Sequence, residues 1–381
     1  MGLANLGAKG WQVGDLKPFE MRTSASAVQW RANGGAWTDL MPLTSLGASS
    51  SFWGVNGHIT WNWTPNALGY LKANWAFACL RMLELGCRIY RNGYGFSEDA
   101  SGVVTASDGN TFVDFITNFA QPCGIKVAPV LLMTYYHASI TNEATAYTFG
   151  FSHGAEAATK LKGLVPYYEM SNEIETWSIT GRGNWRGDYD IPKFRISRGL
   201  LRGTVAGIRS VDPVTPIMGG NGTWMHTAFY KNLLIGMEPD GTTGYPLLDW
   251  DITGWHWYDG NYPGNDDIEN ATAQGNYNTI GEVASWGKPI YINECGCQWD
   301  SYSNSESAVQ TAFAARLAKF WSIRNTYNIV HVAPYQLFDA ASAGTGSTAR
   351  EMNFGMLSSD GATKKARYTD FMNFIKLHQV V

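Results

Sequence analysis

From residue 51 onward the chain repeats one hydrophobic pattern: a short apolar run, then a longer stretch with apolar residues every three or four positions. The short runs predict strands at Phe52–Asn56, Cys87–Asn92, Lys126–Met133, Val165–Ser171, Pro216–Gly220, Trp250–Trp257, Pro289–Asn293 and Ile329–Leu337. Most are apolar at successive positions, as expected of parallel strands buried on both faces. Helical stripes lie between several of them. Over Ala67–Leu85 the spacing of Leu68, Leu71, Trp75, Cys79 and Met82 predicts a helix, closed by Gly86. Over Ser307–Arg324 the stripe is Val309, Ala312, Phe313, Leu317, Phe320 and Trp321, with Ser303 and Glu306 offering a capping box. Eight strands with intervening helices, and no glycine-rich phosphate fingerprint after the first, predict an α/β fold: a (β/α)8 barrel over residues 51–381, not a Rossmann sheet.

Residues 1–50 read differently. The stretch AVQWRANGGAWTDL alternates around Asn33-Gly34-Gly35, which is a hairpin signal, and TSLGASSS after it reads as a linker. The expectation is a short N-terminal β-hairpin appendage on the barrel.

Composition narrows the partners. A net charge of −4 with no basic run leaves no footprint for nucleic acid or anionic lipid. No stretch is apolar for long enough to span a membrane. The first residues lack the apolar core of a secretory signal, so a secreted or periplasmic location would require a signal already removed. Cys79, Cys87, Cys123, Cys295 and Cys297 are too scattered for a disulfide scaffold and have no histidine partners at zinc spacing. No metal and no cofactor is expected. The 16 Trp and 19 Tyr are mostly core residues of a large barrel, but flat rings lining a cleft would also suit the apolar faces of sugars.

In such a barrel reactive groups sit where strands end. The fourth candidate strand runs into Asn172-Glu173 and the seventh into Glu294; the sixth ends with His256 and Tyr258 on one face. Two carboxylates across one cleft suit hydrolysis of an acetal: one protonates the departing oxygen, the other attacks the anomeric carbon or activates water. Like charges at close range cannot both ionise freely, so the pair would divide the two roles. Glu169 and Glu175 flank the motif, but neither follows an asparagine.

These landmarks resemble clan A glycoside hydrolases: Asn-Glu after strand four, His-x-Tyr after strand six, Glu after strand seven, and the tail NFGMLSSDGATKKARYTDF. Together they span roughly residues 51–375, and the flavour is closest to families 39 and 5. The resemblance implies a retaining glycosidase acting on β-linked sugars of an oligo- or polysaccharide through a covalent glycosyl-enzyme. Glu173 would be the acid/base and Glu294 the nucleophile. Asn172 would bond the sugar 2-hydroxyl, Tyr258 would donate to Glu294, and His256 would lie beside the acid or the sugar. Arg88 would match a clan arginine that supports the nucleophile, with Arg91 its rival for that role. Each residue has a plainer alternative: Asn172 as a loop cap, His256 as a core histidine, Tyr258 as a wall, Arg88 as a barrel-bottom ion pair. One landmark departs from the clan. Strand eight reads HVAPYQLFDA where many members carry a tryptophan platform, so Tyr335, Gln336 or Phe338 must supply that contact. Trp177, Trp185, Trp224 and Trp299 are the further cleft candidates. A transglycosylase, a catalytically silent sugar-binding barrel, or the enzymatic part of a larger assembly would share these features.

Overall fold

The computed structural model describes residues 19–379 apart from 25–26, 33–35, 37, 43–49, 60–67, 100–103, 106, 108, 134–136, 259–266, 272–274 and 341–350. The Asn33-Gly34-Gly35 turn and most of the expected linker lie outside the described residues. The strands flanking that turn pair in antiparallel register, Ala27 with Pro42 and Trp30 with Thr38. Three strands, β1 (Phe19–Thr23), β2 (Ala27–Ala32) and β3 (Thr38–Pro42), form one small sheet in that order.

The rest is a closed barrel of eight parallel strands. In chain order these are β4 (Ser50–Gly57), β5 (Cys87–Gly95), β8 (Lys126–Leu132), β9 (Tyr168–Glu169), β10 (Ile217–Thr223), β11 (Ile252–Tyr258), β12 (Ile290–Gly296) and β13 (Ile329–Pro334), with β13 pairing back onto β4. A two-stranded ribbon, β6 (Ser97–Glu98) and β7 (Val104–Thr105), follows the second barrel strand. The helices are α1 (Trp75–Leu85), α2 (Gly109–Phe115), α3 (Glu143–Leu161), α4 (Ile191–Val211), α5 (Thr227–Ile235), α6 (Thr279–Ala284), α7 (Glu306–Tyr327) and α8 (Ala366–Leu377).

Every predicted barrel strand exists, with shifted bounds. The fourth is the most reduced, to Tyr168–Glu169. The helix expected over Ala67–Leu85 begins at Trp75; two 3-10 turns precede it, and Leu71, placed on the apolar stripe, is 49% exposed. Gly86 ends that helix in the left-handed region (φ 91°), as its lack of a Cβ permits. The α7 cap is Ser305, not Ser303. The Ser305 hydroxyl accepts the Ala308 N–H, whereas Ser303 itself adopts φ 54°.

Helices α3 and α4 show how close packing shapes the layer behind the fourth strand. Glycines recur every four residues at 199, 203 and 207 of α4 and at 150 and 154 of α3. A Cβ on Gly203 would lie 2.0 Å from the Tyr147 carbonyl, and one on Gly150 would lie 2.1 Å from that of Leu200. Only bare backbones approach so closely.

Inside the barrel, Ile89, Ala128, Tyr167, Met218 and Ile252, with Tyr291 against them, form an apolar plug. Strand side chains alternate, so the residue two further along faces the same way. Ile89 leads to Arg91 and Tyr167 to Glu169. A charged layer therefore rests on the plug, toward the strands' C-terminal ends.

Candidate active site

Arg91 is the centre of that layer. It is 6% exposed and reaches four strands. Its Nε and Nη2 grip Glu169 at 2.8 and 2.5 Å, and its Nη1 donates to Glu294 Oε2 at 2.6 Å and to Asn56 Oδ1 at 3.0 Å. Nη2 also donates to Asn172 Oδ1 at 2.8 Å. Arg88, expected to support the nucleophile, has the opposite parity on β5. It bonds the Cys87 carbonyl, and burial lowers its pKa. The ion pair with Glu294 belongs to Arg91, the rival, because Ile89 and Arg91 face inward and Arg88 does not.

Glu294 reaches the cleft through an irregularity. Between β11 and β12 the register runs Gly254↔Tyr291, then His256↔Glu294: two steps on one strand against three on the other. Asn293 continues the inward face of Tyr291, its side chain beside Gly254, and the extra residue lets Glu294 face inward as well. The Tyr258 hydroxyl donates to Glu294 Oε1 at 2.5 Å. Burial opposes ionisation of Glu294, but the charges of His256 and Arg91, with hydrogen bonds from Tyr258 and Arg91, outweigh it. The carboxyl is held below its usual range.

Glu173 follows the short fourth strand in a left-handed conformation (φ 45°, ψ 38°), its N–H bonded to the Asn221 carbonyl. The side chain is half-buried and receives His256 Nδ1 at 2.8 Å; the same nitrogen lies 3.7 Å from Glu294 Oε2. Burial works against a charge on His256, yet Glu294 and the Glu173 hydrogen bond prevail and raise its pKa. One oxygen each of Glu173 and Glu294 and one nitrogen of His256 all lie within 4.8 Å of one another. No ligand cluster was visible in the sequence. The fold assembles this one among the described residues, so these three could hold a metal ion. The Arg91 guanidinium already occupies Glu294 Oε2 and puts a competing positive charge there.

Neither flanking acid belongs to this trio, although Glu169 Oε1 lies 4.0 Å from His256 Nε2. Glu169 is fully buried under Arg91. Glu175 is fully buried and accepts from Thr223 N at 2.8 Å and Tyr230 Oη at 3.1 Å, tying the loop after strand four to strand five. Asn172 is exposed. Gln336, expected to touch substrate, is 2% exposed and accepts from the Tyr70 hydroxyl at 3.1 Å; Phe338 is buried as well. Of the three strand-eight candidates Tyr335 is the half-exposed one. Its hydroxyl meets His58 Nε2 at 2.9 Å, and its ring stands 6.4 Å from that of Tyr258. Trp177 and Trp299 are half-buried; Lys193 lies over the Trp177 ring at 5.6 Å, and Trp299 packs against the core. Trp224 stacks on the buried Trp257 (5.6 Å, 14°), whereas Trp185 is 59% exposed.

Sequence reasoning gave Glu169 no structural role and passed over Asn56 and His58. A signal was present: Glu169 interrupts an apolar strand, Asn56 closes one, and His58 follows just past its end.

No sequence-family profile matches the chain, and no curated protein is similar to it in sequence. Solved structures are similar in fold. GH5_18 from Streptomyces cattleya, solved in complex with GlcNAc, superposes with a TM-score of 0.60 at 14% identity, over 88% of this chain and 82% of that one. The chain shares the closed eight-stranded parallel barrel fold of this neighbour. GH5_18 from Bifidobacterium longum subsp. infantis gives 0.60 at 14% identity, over 87% and 80%. The exo-β-1,4-mannosidase of an Opitutaceae bacterium gives 0.58 at 14% identity over 88% of this chain; the chain spans 62% of that enzyme's length. The likeness between these structures and this chain is one of barrel fold. No helix among the described residues is long and apolar enough to cross a membrane.

Proposed function

We propose that this chain is a retaining β-glycosidase in which Glu173 is the acid/base and Glu294 the nucleophile. One observation carries the reading: the two carboxylates approach within 4.8 Å at the mouth of the barrel while their partners differ. Inverting enzymes separate the pair by roughly 6.5–9.5 Å to admit a water, whereas retaining enzymes hold it at about 5–5.5 Å.

Glu294, ionised and fixed by Arg91 and Tyr258, attacks the anomeric carbon. Glu173 gives its proton to the departing oxygen. The glycosyl-enzyme ester is then opened by a water whose proton returns to Glu173. Asn172 offers its amide N–H2 to the 2-hydroxyl, because its Oδ1 is already taken by Arg91. His256, hydrogen-bonded to Glu173, steadies the acid through both steps.

The substrate panel begins with aryl β-mannosides, because one structural neighbour is named an exo-β-1,4-mannosidase. It extends to other β-glycosides and polysaccharides. Glu294→Gln removes the nucleophile and leaves no measurable turnover. Glu173→Ala is rescued by azide on an activated aryl glycoside, giving a β-glycosyl azide. NMR of the first-formed sugar shows the β anomer; an α product, or rescue giving the α-azide, sinks the double displacement.

A further inference from the structure

Asn56, next to the last residue of the first barrel strand, is 2% exposed and touches three other strands with one side chain. Its Nδ2 lies 2.8 Å from the Ala333 carbonyl, 3.0 Å from that of Asn293 and 3.3 Å from that of Pro334. Its Oδ1 accepts from Arg91 Nη1, the nitrogen that also donates to Glu294 Oε2. Its backbone carbonyl accepts the Leu337 N–H at 2.9 Å. The seam it bridges is lightly laddered: among the described residues the β13–β4 register is the single pair Val332↔Trp53. An amide suits this place because it both donates to carbonyls and accepts from a guanidinium. Aspartate could only accept, and would face three carbonyls with a charge.

We propose that Asn56 is a positioning residue for the nucleophile. It holds Arg91 Nη1 against Glu294 and pins the carbonyl of Asn293, the residue just before Glu294, so backbone and counter-charge are set from the first strand. For its kinetic readout the proposal rests on the glycosidase reading above. The ionisable groups facing Glu294 are Arg91 from β5, His256 and Tyr258 from β11, and Glu173 beyond β9. Glu169 acts through Arg91, and His58 lies just past β4. Substituting Asn56 loosens the cationic support of Glu294 without replacing any side chain assigned to touch the sugar.

The test compares wild type with Asn56→Ala and the near-isosteric Asn56→Asp. The readouts are kcat, KM, melting temperature and the pH profile of kcat/KM, whose acidic limb follows ionisation of the nucleophile. Both variants are expected to lose about 10–100-fold in kcat with KM within about threefold. The acidic limb should rise by about one pH unit, more in Asn56→Asp, whose carboxylate competes for Arg91. An unmoved limb in folded variants overturns the proposal, since a purely structural residue changes melting and active fraction but not the limb. Failure of both variants to fold also overturns it, making barrel closure the role. The same shift read from the Glu294 carboxyl by 13C NMR, assigned with Glu294→Gln, requires no turnover. A wild type inactive on every substrate but shifted in this NMR titration by Asn56→Asp would overturn the glycosidase reading and not this one.

Discussion

Two buried arginines each bridge two glutamates in this barrel, with opposite consequences. On the outside, Arg198 of α4 joins Glu143 at 2.5 Å and Glu238 at 3.0 Å, and Arg195 adds a second cation to Glu238. Two positive charges meet two negative ones, and the knot ties α3 and α4 to the loop after α5. Inside, Arg91 joins Glu169 and Glu294, with Glu173 close by and His256 between. There, three carboxyl groups share one guanidinium and one histidine, and two of them, Glu173 and Glu294, remain partly open to the cleft. A balanced knot adds to structure alone. An unbalanced one under a cleft holds an ionised carboxylate and a histidine drawn toward its charged form.

The sharpest way to break the comparison is to weaken each arginine in turn. Arg91→Lys removes the planar fork that serves Glu169, Glu294, Asn56 and Asn172 together. We expect kcat/KM to fall about 10²–10³-fold, with the acidic limb of its pH profile moving up as Glu294 loses support. Arg198→Met should cost about 3–5 kcal/mol in denaturant unfolding, because Glu238 is left buried with one partner fewer. Activity per folded molecule should stay within about twofold of wild type. A shifted limb in Arg198→Met would erase the distinction between the two knots.

A smaller effect sharpens the inner centre. Tyr258→Phe deletes a single donor to Glu294 Oε1. It should lower kcat about 10-fold and raise the acidic limb by less than Arg91→Lys does, with β11 intact by circular dichroism.

The smallest effect lies beneath the site. His331, 1% exposed, bonds the Ser51 carbonyl at 2.9 Å, and burial lowers its pKa to about 4. The fold keeps it neutral, so the unfolded chain binds the extra proton. Stability from this group is complete above about pH 6.5 and declines as pH falls toward 4, by about 3 kcal/mol at most. His256, raised instead, acts in the opposite sense: its contribution is present at low pH and lost as pH rises. In His331→Gln the slope of melting temperature between pH 6.5 and 4 should become shallower; an unchanged slope assigns that window to other groups.

Much of this was legible in the chain. The apolar runs located all eight barrel strands, because a strand buried on both faces must be apolar throughout. The order of Asn172-Glu173, His256, Tyr258 and Glu294 placed five groups at strand ends that the fold brings to one mouth. What failed depended on local parity and on contacts across the barrel. Arg88 and Arg91 differ by three positions on one strand, and only the inward direction of Ile89 chooses between them. Gln336 and Tyr335 are neighbours, yet the first is claimed by Tyr70 and the second is left half-exposed.

The sequence by itself determined the architecture and the kinds of group at the mouth, since burial patterns and residue identities are local properties. Which of those groups meet was decided by the closed barrel. The extra residue in β12 lets Glu294 face inward beside Asn293. The pairing of β4 with β5 sets Asn56 beside Arg91, and the closure of β13 on β4 then brings Glu294 to Arg91. No neighbour-by-neighbour reading contains that juxtaposition, because Asn56, Arg91 and Glu294 come from three different strands and meet only when the barrel shuts.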